Sequence, residues 1–172
     1  IYPDVDMNEV KVRLEIFTTE KPGSRIVTLS RTAFDDEDKR LATIKKKVKL
    51  NGTLNTVELT MDMGENPHLW SEFHPDLYTL AATVSSKTST DSVAKTFGMR
   101  KFATEGTQFT INGNKTFLRG THDGCVFPLT AYCPTDVNEW RRVFIIAKQY
   151  GINHYRFHSY TPTAAAFTAA DE

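Results

Sequence analysis

A hydrophobic period of two runs through about the first hundred residues of this chain and gives way to a period near 3.6 further on. A period of two is what a half-buried strand requires, because successive side chains point to opposite faces. Residues 10–16 show it plainly, with Val10, Val12, Leu14 and Ile16 on one side and charged residues between them. Residues 25–30, 42–50, 56–61, 77–85 and 92–97 are further β-rich runs, and Asn51-Gly52 reads as a turn between two of them. About six or seven short strands separated by turn signals predict an immunoglobulin-like β-sandwich. The Cys, Trp, Cys pattern of antibody domains is absent, so only the broader architecture follows. Lys45, Lys46 and Lys47 are expected to face water and to keep an edge strand from pairing with another chain. Trp70 and Tyr78 are expected in the sandwich core, where aromatic rings supply much of the buried area.

The pattern changes after Gly98. Residues 108–119 read as a hairpin turning at Asn112-Gly113, and residues 120–134 as a loop. Asp136 is placed to cap a helix, with Glu139 three residues later as in a capping box. Val137, Trp140, Val143, Phe144 and Ala147 then make one apolar helix face. Gly151 stands where a C-terminal cap belongs. Residues 152–158 read as the next strand, with His154 expected in the core. Pro162 suits the first turn of a second helix through Ala164, Ala165, Ala166, Phe167 and Ala170. Strand, helix, strand, helix implies a parallel sheet. Two strands and two helices cannot cover both faces of such a sheet, so the C-terminal third reads as truncated.

Charge narrows the function classes. Lys plus Arg number 21 and Asp plus Glu 21, a formal net charge of zero. No basic excess speaks for nucleic acid, and no acidic tail for a cation buffer. No apolar run approaches the length of a membrane span. Residues 1–4 carry neither the basic nor the apolar region of a signal peptide, and the first residue is not Met, so a processing boundary is expected there. Cys125 and Cys133 are not spaced as CxxC, and no second pair completes a zinc site. Either a disulfide or two free thiols in one loop fits them, the free thiols being preferred. His68 and His74 are too isolated to hold a metal, so no metal or cofactor is expected.

Several segments, in order, resemble glycoside hydrolases of family 2, the group of β-galactosidase, β-glucuronidase and β-mannosidase. Pro67-His68-Leu69-Trp70 with Pro75-Asp76-Leu77-Tyr78 resembles the P-x-L-W and P-x-L-Y signature at the end of the family's sandwich. Phe97-Gly98-Met99-Arg100 resembles its F-G-x-R junction. Phe109-Thr110-Ile111-Asn112-Gly113-Asn114 and Phe117-Leu118-Arg119-Gly120 resemble the stretch leading into its first barrel strand. Asp136 through Gly151-Ile152-Asn153, and then Tyr155-Arg156-Phe157-His158, resemble the helix and second strand that follow.

The resemblance implies a mainly β fold: an immunoglobulin-like β-sandwich over residues 1–98, then a truncated (β/α) barrel segment over residues 99–172, the first two βα units of a TIM-barrel glycosidase domain. It implies a parent that hydrolyses O-glycosidic bonds of β-linked sugars with retention, as β-galactosidases do. Retention uses two carboxylates, one attacking the anomeric carbon and one exchanging a proton. In the family these stand on later barrel strands, so no catalytic residue is expected here and the chain alone is expected to be inactive. Substrate contacts are implied for Arg156 and His158 at the tip of the second strand, and for His122 and Asp123 just past the first. A carbohydrate is the implied partner, with self-association through the unfinished barrel surface and a periplasmic or secreted setting rather than a cytoplasmic one. The alternative is a non-catalytic immunoglobulin-like module for carbohydrate binding or adhesion, against which the amphipathic helix from Asp136 speaks.

Overall fold

The computed structural model describes residues 1–33 and 42–172. It falls into two compact units, residues 1–115 and 116–172. The sequence pattern changes after Gly98, whereas the compact division lies at Lys115.

In the first unit the strands are β1 (Tyr2–Asp4), β2 (Glu9–Phe17), β3 (Gly23–Ala33), β4 (Ala42–Leu50), β5 (Leu54–Asp62), β6 (Tyr78–Ser85) and β7 (Thr90–Phe97). They make two antiparallel sheets, ordered β1-β2-β5 and β4-β3-β6-β7. Register follows the alternation: Val10 lies opposite Met61, Val12 opposite Leu59 and Leu14 opposite Val57. A slip of one residue would turn all of these outward. On the other sheet Val27 faces Val84 and Leu29 faces Ala82. These inward sides close one core of Val10, Val12, Val27, Leu29, Leu59, Met61, Met63, Tyr78, Leu80, Ala82 and Met99. The fold is mainly β, in the manner of an immunoglobulin-like sandwich. β4 is an edge strand whose Lys45, Lys46 and Lys47 are all exposed, which blunts the edge as charge does.

After the sandwich strands the chain forms a small sheet of β8 (Phe102–Glu105), β9 (Gln108–Ile111) and β10 (Asn114–Thr116), ordered β10-β9-β8. Asn112 and Gly113 both have positive φ, 52° and 77°, as the predicted two-residue turn requires. β1 and β8 are too short to announce themselves by alternation.

The resemblance motifs of this unit are one physical assembly. Gly98 lies against the Trp70 ring, and a Cβ there would stand 2.8 Å from Trp70 Cβ. The Arg100 guanidinium covers the ring, 4.6 Å from its centroid. The Trp70 N–H donates to the Met99 carbonyl at 3.0 Å, and Asn112 Nδ2 donates to the Trp70 carbonyl at 2.9 Å. Phe97 stacks on Tyr78 at 5.6 Å, and the Tyr78 hydroxyl accepts the His68 N–H at 2.7 Å. Tyr78 is buried as expected; Trp70 is only half-buried and is held between Gly98 and Arg100 rather than in the sandwich core.

The second unit holds β11 (Gly120–Asp123), α1 (Val137–Gln149), β12 (His154–Phe157) and α2 (Ala164–Ala170). β11 and β12 pair in parallel, Gly120 with His154 through Asp123 with Phe157. This corrects the reading of residues 120–134 as loop throughout: Gly120, Thr121, His122 and Asp123 have no apolar alternation, and their strand exists through pairing to β12. Asn153 pins that register. Its Oδ1 accepts the Arg119 N–H at 2.8 Å, its Nδ2 donates to the Phe117 carbonyl at 3.1 Å, and its own N–H donates to the Arg119 carbonyl.

α1 begins as read. Asp136 Oδ1 accepts from the N–H groups of Asn138 and Glu139 at 2.8 and 3.2 Å. Glu139 does not complete a box; its carboxylate faces Arg142 at 3.4 Å. The helix ends at Gly151, φ +76°, with Gly151 N–H bonded to the Lys148 carbonyl and Ile152 N–H to the Ala147 carbonyl. That is the Schellman pattern. Pro162 precedes the N-cap, Thr163, rather than lying inside the first turn of α2. Trp140 is fully buried among Ala165, Ala166 and Ala169, with Phe127, Val137, Phe144 and Phe157 around it. Its indole N–H donates to the Pro134 carbonyl at 2.8 Å, which also accepts the Thr163 hydroxyl.

Candidate functional site

The parallel pairing decides which side chains meet. His122 lies opposite Arg156, so both stand on the same face of the two-stranded sheet. That face is exposed, whereas Thr121, Asp123, Tyr155 and Phe157 alternate toward the helices. The aromatic residues explain the choice: Tyr155 packs edge-on against Phe144 at 5.0 Å and Phe157 against Trp140 at 5.7 Å. Burying Tyr155 and Phe157 commits Arg156 to the other side. His154 shares that exposed side rather than the core, because its ring lies over Gly120, where a Cβ would approach within 3.1 Å.

His158 follows the last residue of β12. Its N–H donates to the Asp123 carbonyl at 2.8 Å, which extends the ladder by one bond. Its imidazole meets that of His122 edge-on, centroids 4.5 Å apart. His122, Arg156 and His158 thus gather at one end of a parallel strand pair. Arg156 makes no ion pair among the described residues, so its guanidinium is not spent on a structural bridge. His122 and Asp123 lie inside β11, as its last two residues, rather than just past a strand.

Asp123 is the fourth expected contact, and it faces the other way. Its Oδ1 accepts the Cys125 N–H at 2.7 Å and the Tyr160 hydroxyl at 2.9 Å. Burial pushes the Tyr160 phenol far above the usual tyrosine range, and the hydrogen bond to the Asp123 carboxylate adds to the rise. Tyr155 is raised by burial as well, with Asp123 contributing. Tyr160 joins Asp123 here, and pattern reading missed it; an aromatic three residues beyond the end of β12 was the available signal. Non-glycine residues with positive φ follow both strand ends, Cys125 at 61° and Ser159 at 61°. Such conformations are uncommon outside glycine and point to a shaped strand end. Among the described residues no three His, Cys, Asp or Glu side chains come together as metal ligands would.

Set beside known proteins, residues 1–100 match the family model of Glycosyl hydrolases family 2. The chain belongs to this family. A β-galactosidase of Staphylococcus xylosus is 32% identical to this family 2 chain over 107 residues, covering 62% of the chain and 10% of the relative. A family 2 glycosyl hydrolase from Bacteroides cellulosilyticus shares its fold with a TM-score of 0.76 at 24% identity, over 95% of this chain and 22% of that one. A Bacteroides uniformis β-glucuronidase does so with a TM-score of 0.79 at 23% identity, over 95% and 20%. This family 2 chain therefore spans less than a quarter of the length of each of these relatives. No helix among the described residues is long and apolar enough to cross a membrane.

Proposed function

We propose that this chain is part of a retaining glycoside hydrolase acting on β-linked sugars, and that its β11 and β12 tips contribute to the first sugar subsite. In this reading the second unit supplies the first two βα units of a TIM barrel. Such barrels place their chemistry at the C-terminal ends of the strands. The observation that carries the reading is the convergence of His122, Arg156 and His158 at that end of a parallel pair. An Arg fork can bind neighbouring hydroxyls or hold a carboxylate, and an imidazole can donate or accept. Asp123 acts by holding the β11 tip through Tyr160 and the Cys125 N–H.

The two carboxylates of a retaining glycosidase, about 5–5.5 Å apart, lie elsewhere in the parent, and the 172-residue chain by itself does not turn over glycosides. The experiment is an assay of the full-length parent on a panel of aryl β-glycosides. Arg156→Ala and His158→Ala in the parent should each lower kcat/KM by about 10²-fold, near 2.7 kcal/mol of transition-state stabilisation, with thermal stability unchanged. A parent inactive on every aryl β-glycoside, or turnover by the isolated chain, would overturn the proposal.

A further inference from the structure

The loop after β11 reverses direction tightly. The Ala131 N–H donates to the Phe127 carbonyl at 2.7 Å, and the Thr130 N–H bonds to the same oxygen at 3.3 Å. Ala131 has positive φ, 62°, and Thr130 Oγ1 donates to the Tyr132 carbonyl at 2.7 Å. The reversal is thus closed across residues 127 and 131. Two residues further out on either arm stand Cys125 and Cys133, which this closure sets opposite one another. Both are free thiols and half-buried, and Cys133 is a neighbouring group that acts on the Cys125 thiol. The Cys125 arm is fixed by its N–H on Asp123, and the Cys133 arm packs against the Trp140 cluster.

We propose that Cys125 and Cys133 form a thiol–disulfide exchange site that closes residues 125–133 into a covalent loop beside the strand tips. The co-reactant is a low-molecular-weight disulfide. One cysteine thiolate attacks a sulfur of that disulfide, a mixed disulfide forms and one small thiolate leaves. The second cysteine thiolate attacks the protein sulfur of the mixed disulfide, the protein S–S bond forms and the second small thiolate leaves. Two protein thiols are oxidised, one small disulfide is reduced to two thiols, and the two cysteine protons pass to them. The closure at Phe127 and Ala131, which brings the two arms together, favours the intramolecular second step over a lasting adduct. Burial raises the Cys125 thiol above its usual value, with the neighbouring Cys133 adding to the rise, so exchange runs faster in mildly alkaline solution than at neutrality.

The test uses the 172-residue chain, fully reduced and then treated with oxidised glutathione. Thiol titration of the unfolded product should fall from two groups to none. Intact mass should drop by the two hydrogens lost, and peptide mapping should join Cys125 to Cys133. Closing so short a loop should raise Tm by roughly 5–10 °C over the reduced form. A stable glutathione adduct on either cysteine, disulfide-linked dimers, thiols that stay unreacted in mildly alkaline solution, or a Tm that does not rise would each overturn the proposal.

Discussion

At the residue scale, the motif letters of this chain have physical meanings that no single segment discloses. Gly98 is needed because Trp70 occupies the space of its missing side chain. Sequence shows the glycine and the tryptophan, but the contact joins positions separated by β6 and β7. Gly98→Ala should therefore destabilise the first unit by about 1–3 kcal/mol, measured by urea unfolding. In a Trp70→Gly background the same substitution should cost far less, since both the Cβ and the ring that clash are gone; an equal cost in both would refute the contact. Asn153 is alike: it reads as one letter after Gly151-Ile152, while its value lies in three bonds to the segment entering β11. Tyr160 carries a pH signature. Its phenol is raised in the folded protein, so above about pH 10 the unfolded chain loses its proton first and stability falls. Tyr78 and Tyr155 are raised too and fall in the same direction. Tyr160→Phe should lose about 1 kcal/mol at neutrality with the Asp123 hydrogen bond, and should flatten part of the alkaline decline. A decline as steep as that of the unaltered protein would argue against it.

At the element scale, legibility follows how much of an element's stability is local. Strands β2 through β7 were readable because each buries alternate apolar side chains, and α1 because its cap, stripe and terminal glycine are all sequence-local. β11 was not, because nothing in Gly120-Thr121-His122-Asp123 prefers a strand until β12 lies beside it. Thus sequence alone sets His122 and Asp123 beyond a strand end, whereas they are the last two residues of β11. The local signals of α1 are testable singly. Asp136→Ala should cost about 1 kcal/mol through the loss of two N–H partners. Gly151→Ala forces a side chain into the left-handed region and should cost about 1–2 kcal/mol. Both are read as changes in the urea midpoint of the helical circular-dichroism signal. An Asp136→Asn variant, which keeps an acceptor, should retain most of the stability; a loss as large as in alanine would show that the carboxylate charge, not the cap bond, matters.

At the scale of the molecule, the two units differ in how much core they own. Among the described residues the first unit closes a core of eleven buried residues, whereas the second buries Trp140 and three alanines. The second unit also exposes large apolar side chains: Phe117 is 77% exposed, Phe167 52% and Ile145 49%. Beside β12 a cavity of about 340 Å³ is lined by Phe144, Ile152, Tyr155, Phe157, Ala166 and Phe167. A 57-residue piece with a two-stranded sheet is near the size at which a single core barely offsets chain entropy. Local opening should accordingly be easier in the second unit than in the sandwich. Native-state hydrogen exchange read by mass spectrometry should show the β11 and β12 amides exchanging many-fold faster than those of β3 and β6. Since apolar surface of this kind favours association, protection in β12 and α2 should rise with protein concentration while that of β3 stays constant. Equal protection of β12 and β3 in dilute solution would mean that the second unit is held by more than its own core. Protection unaffected by concentration would mean that its apolar face does not bind another copy.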